Sequence, residues 1–131
     1  MPIIHLRLGA NPDAALAQRA AAAVQRHTVE ILRKDPGLIA IAVAFIDPAA
    51  WFIAGRSLAD WQRRSYALEI KITDETNTRD EKARFIAATH AALAELLAPL
   101  HTESYIHVHD VRAEAYGYGG RTQAARYHAP G

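Results

Sequence analysis

The chain has 131 residues, half of them apolar, with a formal net charge of +1 and no cysteine; that is one domain, or two small tightly joined halves, with material for a real core. The composition offers no basic stripe for nucleic acid and no acidic tail, and it excludes disulfides and thiolate catalysis. The longest apolar run, 38–46, is too short for a bilayer, and the start lacks a signal peptide's charged leader and apolar core, so a cytoplasmic protein is expected.

The opening MPIIHLRL sets Ile4, Leu6 and Leu8 against Ile3, His5 and Arg7, the period of a strand with one polar-leaning face. Pro2 stands at its head. Proline lacks a backbone donor and is tolerated as a strand's first residue, so it can be a mere strand starter. With Met1 removed it becomes a free secondary amine, a base at the end of a strand. Asn11-Pro12-Asp13 then offers an N-cap, a first-turn proline and an acidic residue for the helix dipole. Leu16, Ala20, Val24, His27 and Ile31 form the stripe of the helix that follows, and Lys34-Asp35-Pro36-Gly37 stops it. LIAIAVAFI (38–46) is short, continuous and apolar, which predicts an inner strand covered on both sides. WFIAGRS at 51–57 is an aromatic followed by a glycine-arginine turn.

The pattern repeats after a linker at 58–65. YALEIKI echoes PIIHLRL, with Leu68, Ile70 and Ile72 taking the parts of Ile4, Leu6 and Leu8. Thr78-Arg79-Asp80-Glu81 reads as a capping box. Phe85, Thr89, Leu93 and Leu96 carry one helical face, and Pro99 ends that helix. SYIHVHDV is a strand with Tyr105, His107 and His109 on one face and Ile106 and Val108 on the other. YGYGGRT at 116–122 closes the second half as WFIAGRS closes the first. The expectation is an α+β chain of two βαβ units, residues 2–57 and 66–122, whose strands form one four-stranded sheet with both helices on one face. A sheet this apolar needs its other face buried, and symmetric self-association is the predicted solution.

With its proline start, tandem βαβ units and paired glycine turns, nearly the whole chain resembles the fused members of the tautomerase superfamily. The resemblance implies a trimer of fused chains whose sheets form a central barrel, and an N-terminal proline as catalytic base, with no cofactor. Pro2 matches that proline, and its counterpart Tyr66 leaves the second half without one. KDPGLIAI is similar to KPPQYIAV of macrophage migration inhibitory factor, which gives Lys34 the part of an active-site lysine. YIHVHDV is similar to its YINYYDM, so Tyr105 and His107 are implied to line a neighbouring subunit's site. Tyr116 takes the part of an active-site phenylalanine of 4-oxalocrotonate tautomerase. That enzyme's two arginines fall on Tyr105 and Asn77, so its grip on a dicarboxylate is missing, and a monoanionic 2-oxo acid or its enol is the better substrate.

The implied chemistry is keto–enol or 1,3-proton transfer by the Pro2 amine, with Lys34 and Asn77 holding a carboxylate or enolate. Tyr105 and His107 would polarise the carbonyl, and Tyr116 would exclude water. The same scaffold could instead hydrate, dehalogenate or decarboxylate a small unsaturated acid, with His27 or His107 activating water, or form a trimer that only binds. Each residue also has a structural reading. His27 lies on the buried stripe as a core histidine would, and Lys34 can neutralise the first helix's C-terminal dipole. His107 and His109 have a spacing that zinc could use but no evident third ligand.

Overall fold

The computed structural model describes residues 2–127. Strand β1 (Ile3–Gly9) leads to helix α1 (Ala14–Glu30) and strand β2 (Ala40–Ile46), followed by a two-residue hairpin, β3 (Phe52–Ile53) and β4 (Arg56–Ser57), and a helical turn, α2 (Leu58–Trp61). The second half repeats the order: β5 (Ser65–Thr73), α3 (Arg79–Leu96), β6 (Tyr105–Val111), the hairpin β7 (Gly117–Tyr118) and β8 (Arg121–Thr122), and α4 (Gln123–Tyr127). Among the described residues no helix is long and apolar enough to cross a membrane.

The four long strands form one sheet in the order β2-β1-β5-β6. Each βαβ unit pairs its strands in parallel, and the units join through an antiparallel β1–β5 pair in which Leu6 faces Leu68. Alternation aims Ile4, Leu6 and Leu8, with Leu68, Ile70 and Ile72, at the helices, where Leu16, Ala20, Val24, Phe85 and Leu93 close a single core over both halves. The helices therefore share one face of the sheet and touch each other.

Local signals set the helix ends. Thr78 Oγ1 accepts from Glu81 N at 3.1 Å, and Glu81 Oε1 accepts from Thr78 N at 2.8 Å, the reciprocal capping box. The first helix starts two residues later than its proline suggests: Asp13 is the N-cap, its carboxylate accepting from Leu16 N at 3.1 Å, and Asn11 and Pro12 stay outside. Asp displaces Asn here because it stands next to the first residue with helical dihedrals.

Two expectations are corrected. The apolar run 38–46 is an edge strand, not an inner one; β1 and β5 are central. Its outward residues are alanines 40, 42 and 44, small enough to sit at an edge without presenting a greasy surface. The uncovered face is also mixed rather than uniformly apolar. In register across β2, β1, β5 and β6 it shows Ala44, Arg7, Ala67 and Tyr105, then Ala42, His5, Glu69 and His107, then Ala40, Ile3, Lys71 and His109. Arg7 and Glu69 form an ion pair at 3.8 Å within it. A partner covering this face must match its charges and imidazoles as well as its alanines.

Candidate active site

At the head of β1, Pro2 is buried, and its carbonyl accepts from Ala40 N at 3.1 Å, so it is locked to the start of β2. A cavity of about 400 Å³ opens beside it, walled by Pro2, Ile3, Leu38, Ala40, Tyr116 and Tyr118. The two tyrosines come from the β7–β8 hairpin. Gly119 and Gly120, at φ +60° and +81°, supply the left-handed pair that a tight hairpin needs. Gly117 separates the tyrosines because any Cβ there would run into the Arg121 carbonyl. The Tyr116 hydroxyl bonds the Thr73 hydroxyl at the end of β5, which ties the hairpin to the sheet. Burial raises the Tyr116 pKa, against the pull of that bond, so it stays a neutral wall.

Pro2 and Tyr116 thus meet in one cavity, and the other four candidates lie elsewhere. Lys34 lines an adjoining cavity, where its ammonium donates to Thr76 Oγ1 at 2.9 Å. Burial lowers the Lys34 pKa, and the fields of Glu81 and Asp110 oppose the shift. The Asn77 amide nitrogen donates to Leu32 O at 3.0 Å and ties the end of α1 to the start of α3, while its buried Oδ1 has no hydrogen-bond partner among the described residues. Tyr105 and His107 stand on the open face of β6. Tyr105 is level with Arg7, five residues along from Pro2 and two strands aside, so about 16 Å away along the strand alone. Its hydroxyl donates to Glu103 at 2.6 Å, and its ring stacks on His107 at 6.1 Å. The His107 and His109 rings are 5.8 Å apart, and among the described residues no third His, Asp or Glu joins them as a metal group.

His27 belongs to the core. It is 8 % exposed, with Nδ1 3.2 Å from Thr89 Oγ1 across the α1–α3 contact. Burial first, and the charge of Arg26 second, hold its pKa below the ordinary 6.5. The unfolded chain therefore takes up the proton first as the pH falls. The stability that neutral His27 contributes is complete above about pH 6.5 and is lost as the pH drops from there through its folded-state pKa. Urea unfolding at pH 7.5 and 5.0 should show the wild type losing more stability on acidification than His27→Gln; equal losses would remove this account.

No protein-family model matches the sequence, and no curated protein does. Solved structures do match the fold. A native fused 4-OT shares 21% identity over 94% of this chain and 97% of its own, with a TM-score of 0.80. A wild-type fused 4-OT, a symmetric trimer, gives a TM-score of 0.82 at 14% identity, covering 95% of this chain and 98% of its own. The fold is that of the tautomerase superfamily. A malonate semialdehyde decarboxylase inhibited by 3-bromopropiolate has it too, with a TM-score of 0.73 and 18% identity over 95% of each chain.

Within the tautomerase fold the repeats diverge at the strand heads. Where β1 is led by Pro2, the second repeat has Tyr66, fully buried, with its hydroxyl 2.6 Å from His90 Nδ1 and its pKa pushed up to about 12 by burial. That end holds a packed phenol and no amine. The residues that reasoning from sequence missed are Tyr118, Gln123 and Arg126, which flank Lys34 in its cavity. The one available signal was internal: in the alignment of the two repeats they replace Ile53, Leu58 and Trp61.

Proposed function

We propose that the chain is a cofactor-independent tautomerase that moves a proton between carbon and oxygen, or between two carbons, of a small 2-oxo acid or its enol. The observation that carries this reading is a buried Pro2 in the wall of an apolar, tyrosine-lined cavity at the head of a tautomerase-fold strand. With Met1 removed, Pro2 offers a secondary amine. An α-amino group ordinarily titrates near 8, and an apolar cavity disfavours its cation, which leaves neutral base at pH 7. The amine takes the proton from the substrate carbon or enol and returns it at the other position, so proton and charge balance over the cycle. Tyr116 excludes water.

Function as a trimer, the state of the fused 4-OT named above, would give Tyr105 and His107 a role they lack within one chain. They would polarise the substrate carbonyl in a neighbour's cavity. The Asn77 amide nitrogen is already bonded to Leu32 O, which leaves Lys34 to hold the carboxylate.

The likeness to a decarboxylase keeps a second reading, in which the same proline handles a small acid that loses CO₂. Hydration has less support, since His27 is bonded within the helix pair and does not line the Pro2 cavity, which leaves His107 of a neighbouring chain as the group to activate water.

Intact mass before and after exposure to 2-oxo-3-butynoate, an electrophilic 2-oxo acid, tests the proposal. The expected result is a chain lacking Met1 with one adduct, mapped to Pro2. Retention of Met1, or a processed chain with no adduct on Pro2, would turn the reading toward a binding protein.

A further inference from the structure

The helices cover one face of the sheet and leave the other open. On the open face stand three imidazoles, His5 of β1 and His107 and His109 of β6, all exposed within one chain. The charged groups around them are few. Arg7 shares β1 with His5, β5 contributes Glu69 and Lys71, and β2 offers only Ala40, Ala42 and Ala44. Glu69 stands in register between His5 and His107, but it already pairs with Arg7 at 3.8 Å. Lys71 lies level with His109. At the rim Glu103 accepts from the Tyr105 hydroxyl at 2.6 Å, and Asp110 is taken by Lys82 of α3 at 2.6 Å.

The His107 ring lies 5.8 Å from that of His109 and 6.1 Å from that of Tyr105, a ladder along β6. With neutral imidazoles the face carries one net positive charge per chain, from Arg7 and Lys71 against Glu69; with all three protonated it carries four. On a separate chain, water and salt screen those charges. A cyclic trimer that turns this face inward weakens the screening and triples the charge, because the face then meets copies of itself.

We propose that His5, His107 and His109 make assembly through the open face proton-dependent: the neutral face closes on its copies, and the protonated face separates. Packing against like charge disfavours the cation, so the assembled chain binds protons less readily than the separate one. Assembly is therefore complete above the ordinary imidazole value near 6.5 and is lost as the pH falls below it. In the closed state each neutral imidazole still offers its neighbours one donor and one acceptor. Separation would also withdraw Tyr105 and His107 from a neighbour's cavity. The inference rests on function as a trimer and not on Pro2 as the base.

Sedimentation velocity at pH 7.5 and 5.5, with circular dichroism on the same samples, tests it. At one low-micromolar concentration the wild type should be a trimer at pH 7.5 and a folded monomer at pH 5.5. Even one imidazole per chain, held neutral in the trimer, weakens assembly about tenfold per chain over that interval, which raises the concentration of half-assembly about 30-fold. The triple variant His5→Gln, His107→Gln, His109→Gln should remain a trimer at pH 5.5. Each single replacement should lessen the wild-type shift, which decides the matter if the triple variant no longer assembles. His27 is kept in every variant, so acid damage to the core would appear in all of them, as lost dichroism. A wild-type trimer at both pH values overturns the proposal, as does a shift retained in full by the variants. A wild type that is monomeric at pH 7.5 removes the trimer together with its proton dependence, and an adduct on Pro2 would leave the proposed reaction standing in each of these cases.

Discussion

Pro2→Ala is expected to lower kcat/KM for ketonisation of a small 2-oxo acid enol by about 100-fold, near the lower end of what a positioned general base contributes. The lower end applies because alanine still carries an amine. What it loses is the ring, which fixes the nitrogen relative to the strand and makes the base secondary. The fold should not notice. Only the Pro2 carbonyl takes part in the sheet, accepting from Ala40 N, and alanine keeps that bond. An unchanged unfolding midpoint alongside the lost activity would locate the effect in chemistry. For the wild type the rate should rise with pH through the amine's pKa, since only the neutral form accepts a proton. Unchanged kcat/KM in Pro2→Ala would sink the central claim.

The largest expected effect on stability is Phe85→Ala, about 4 kcal/mol, the usual cost of emptying a fully buried aromatic site. Phe85 has no exposure and belongs to the one core that both βαβ units build. The cavity it leaves would therefore open between α3 and the central strands, not at a rim that could collapse. Against a typical domain stability of 5–15 kcal/mol, that loss brings the chain near its unfolding threshold. Urea unfolding at one fixed protein concentration measures it, since self-association would make the midpoint depend on concentration. A loss under about 1 kcal/mol would mean that Phe85 does not fill the centre of the core.

Much of this protein was legible because its signals are local. The alternation Ile4-Leu6-Leu8 and its echo Leu68-Ile70-Ile72 name the buried faces of two strands without any neighbour's help. The capping box at Thr78–Glu81 needs only four residues, and the glycine pair at 119–120 needs only its own dihedrals. The apolar run 38–46 misled because continuous hydrophobicity marks an inner strand only when large side chains face both ways. Here the outward set is alanine, which an edge tolerates as well as an interior does. Lys34 was singled out, but its companions were not. Gln123 and Arg126 lie some ninety residues away in sequence, and only the fold brings them to the same cavity.

By itself, then, the sequence determined two βαβ units, the core face of the first strand of each unit and of each long helix, and a proline at the head of the first unit with a tyrosine at the head of the second. Periodicity of two or near four assigns a side chain to a face, and such assignments survive any arrangement of the elements. Only the tertiary structure decided that β1 and β5 run antiparallel at the centre, that His5, Glu69 and His107 share one polar row, and that Tyr116 closes on Pro2 while Arg126 and Gln123 close on Lys34. Those choices depend on which strand edges pair and in what register. Pairing energy across a sheet is summed over the whole ladder, and no single stretch of sequence contains it.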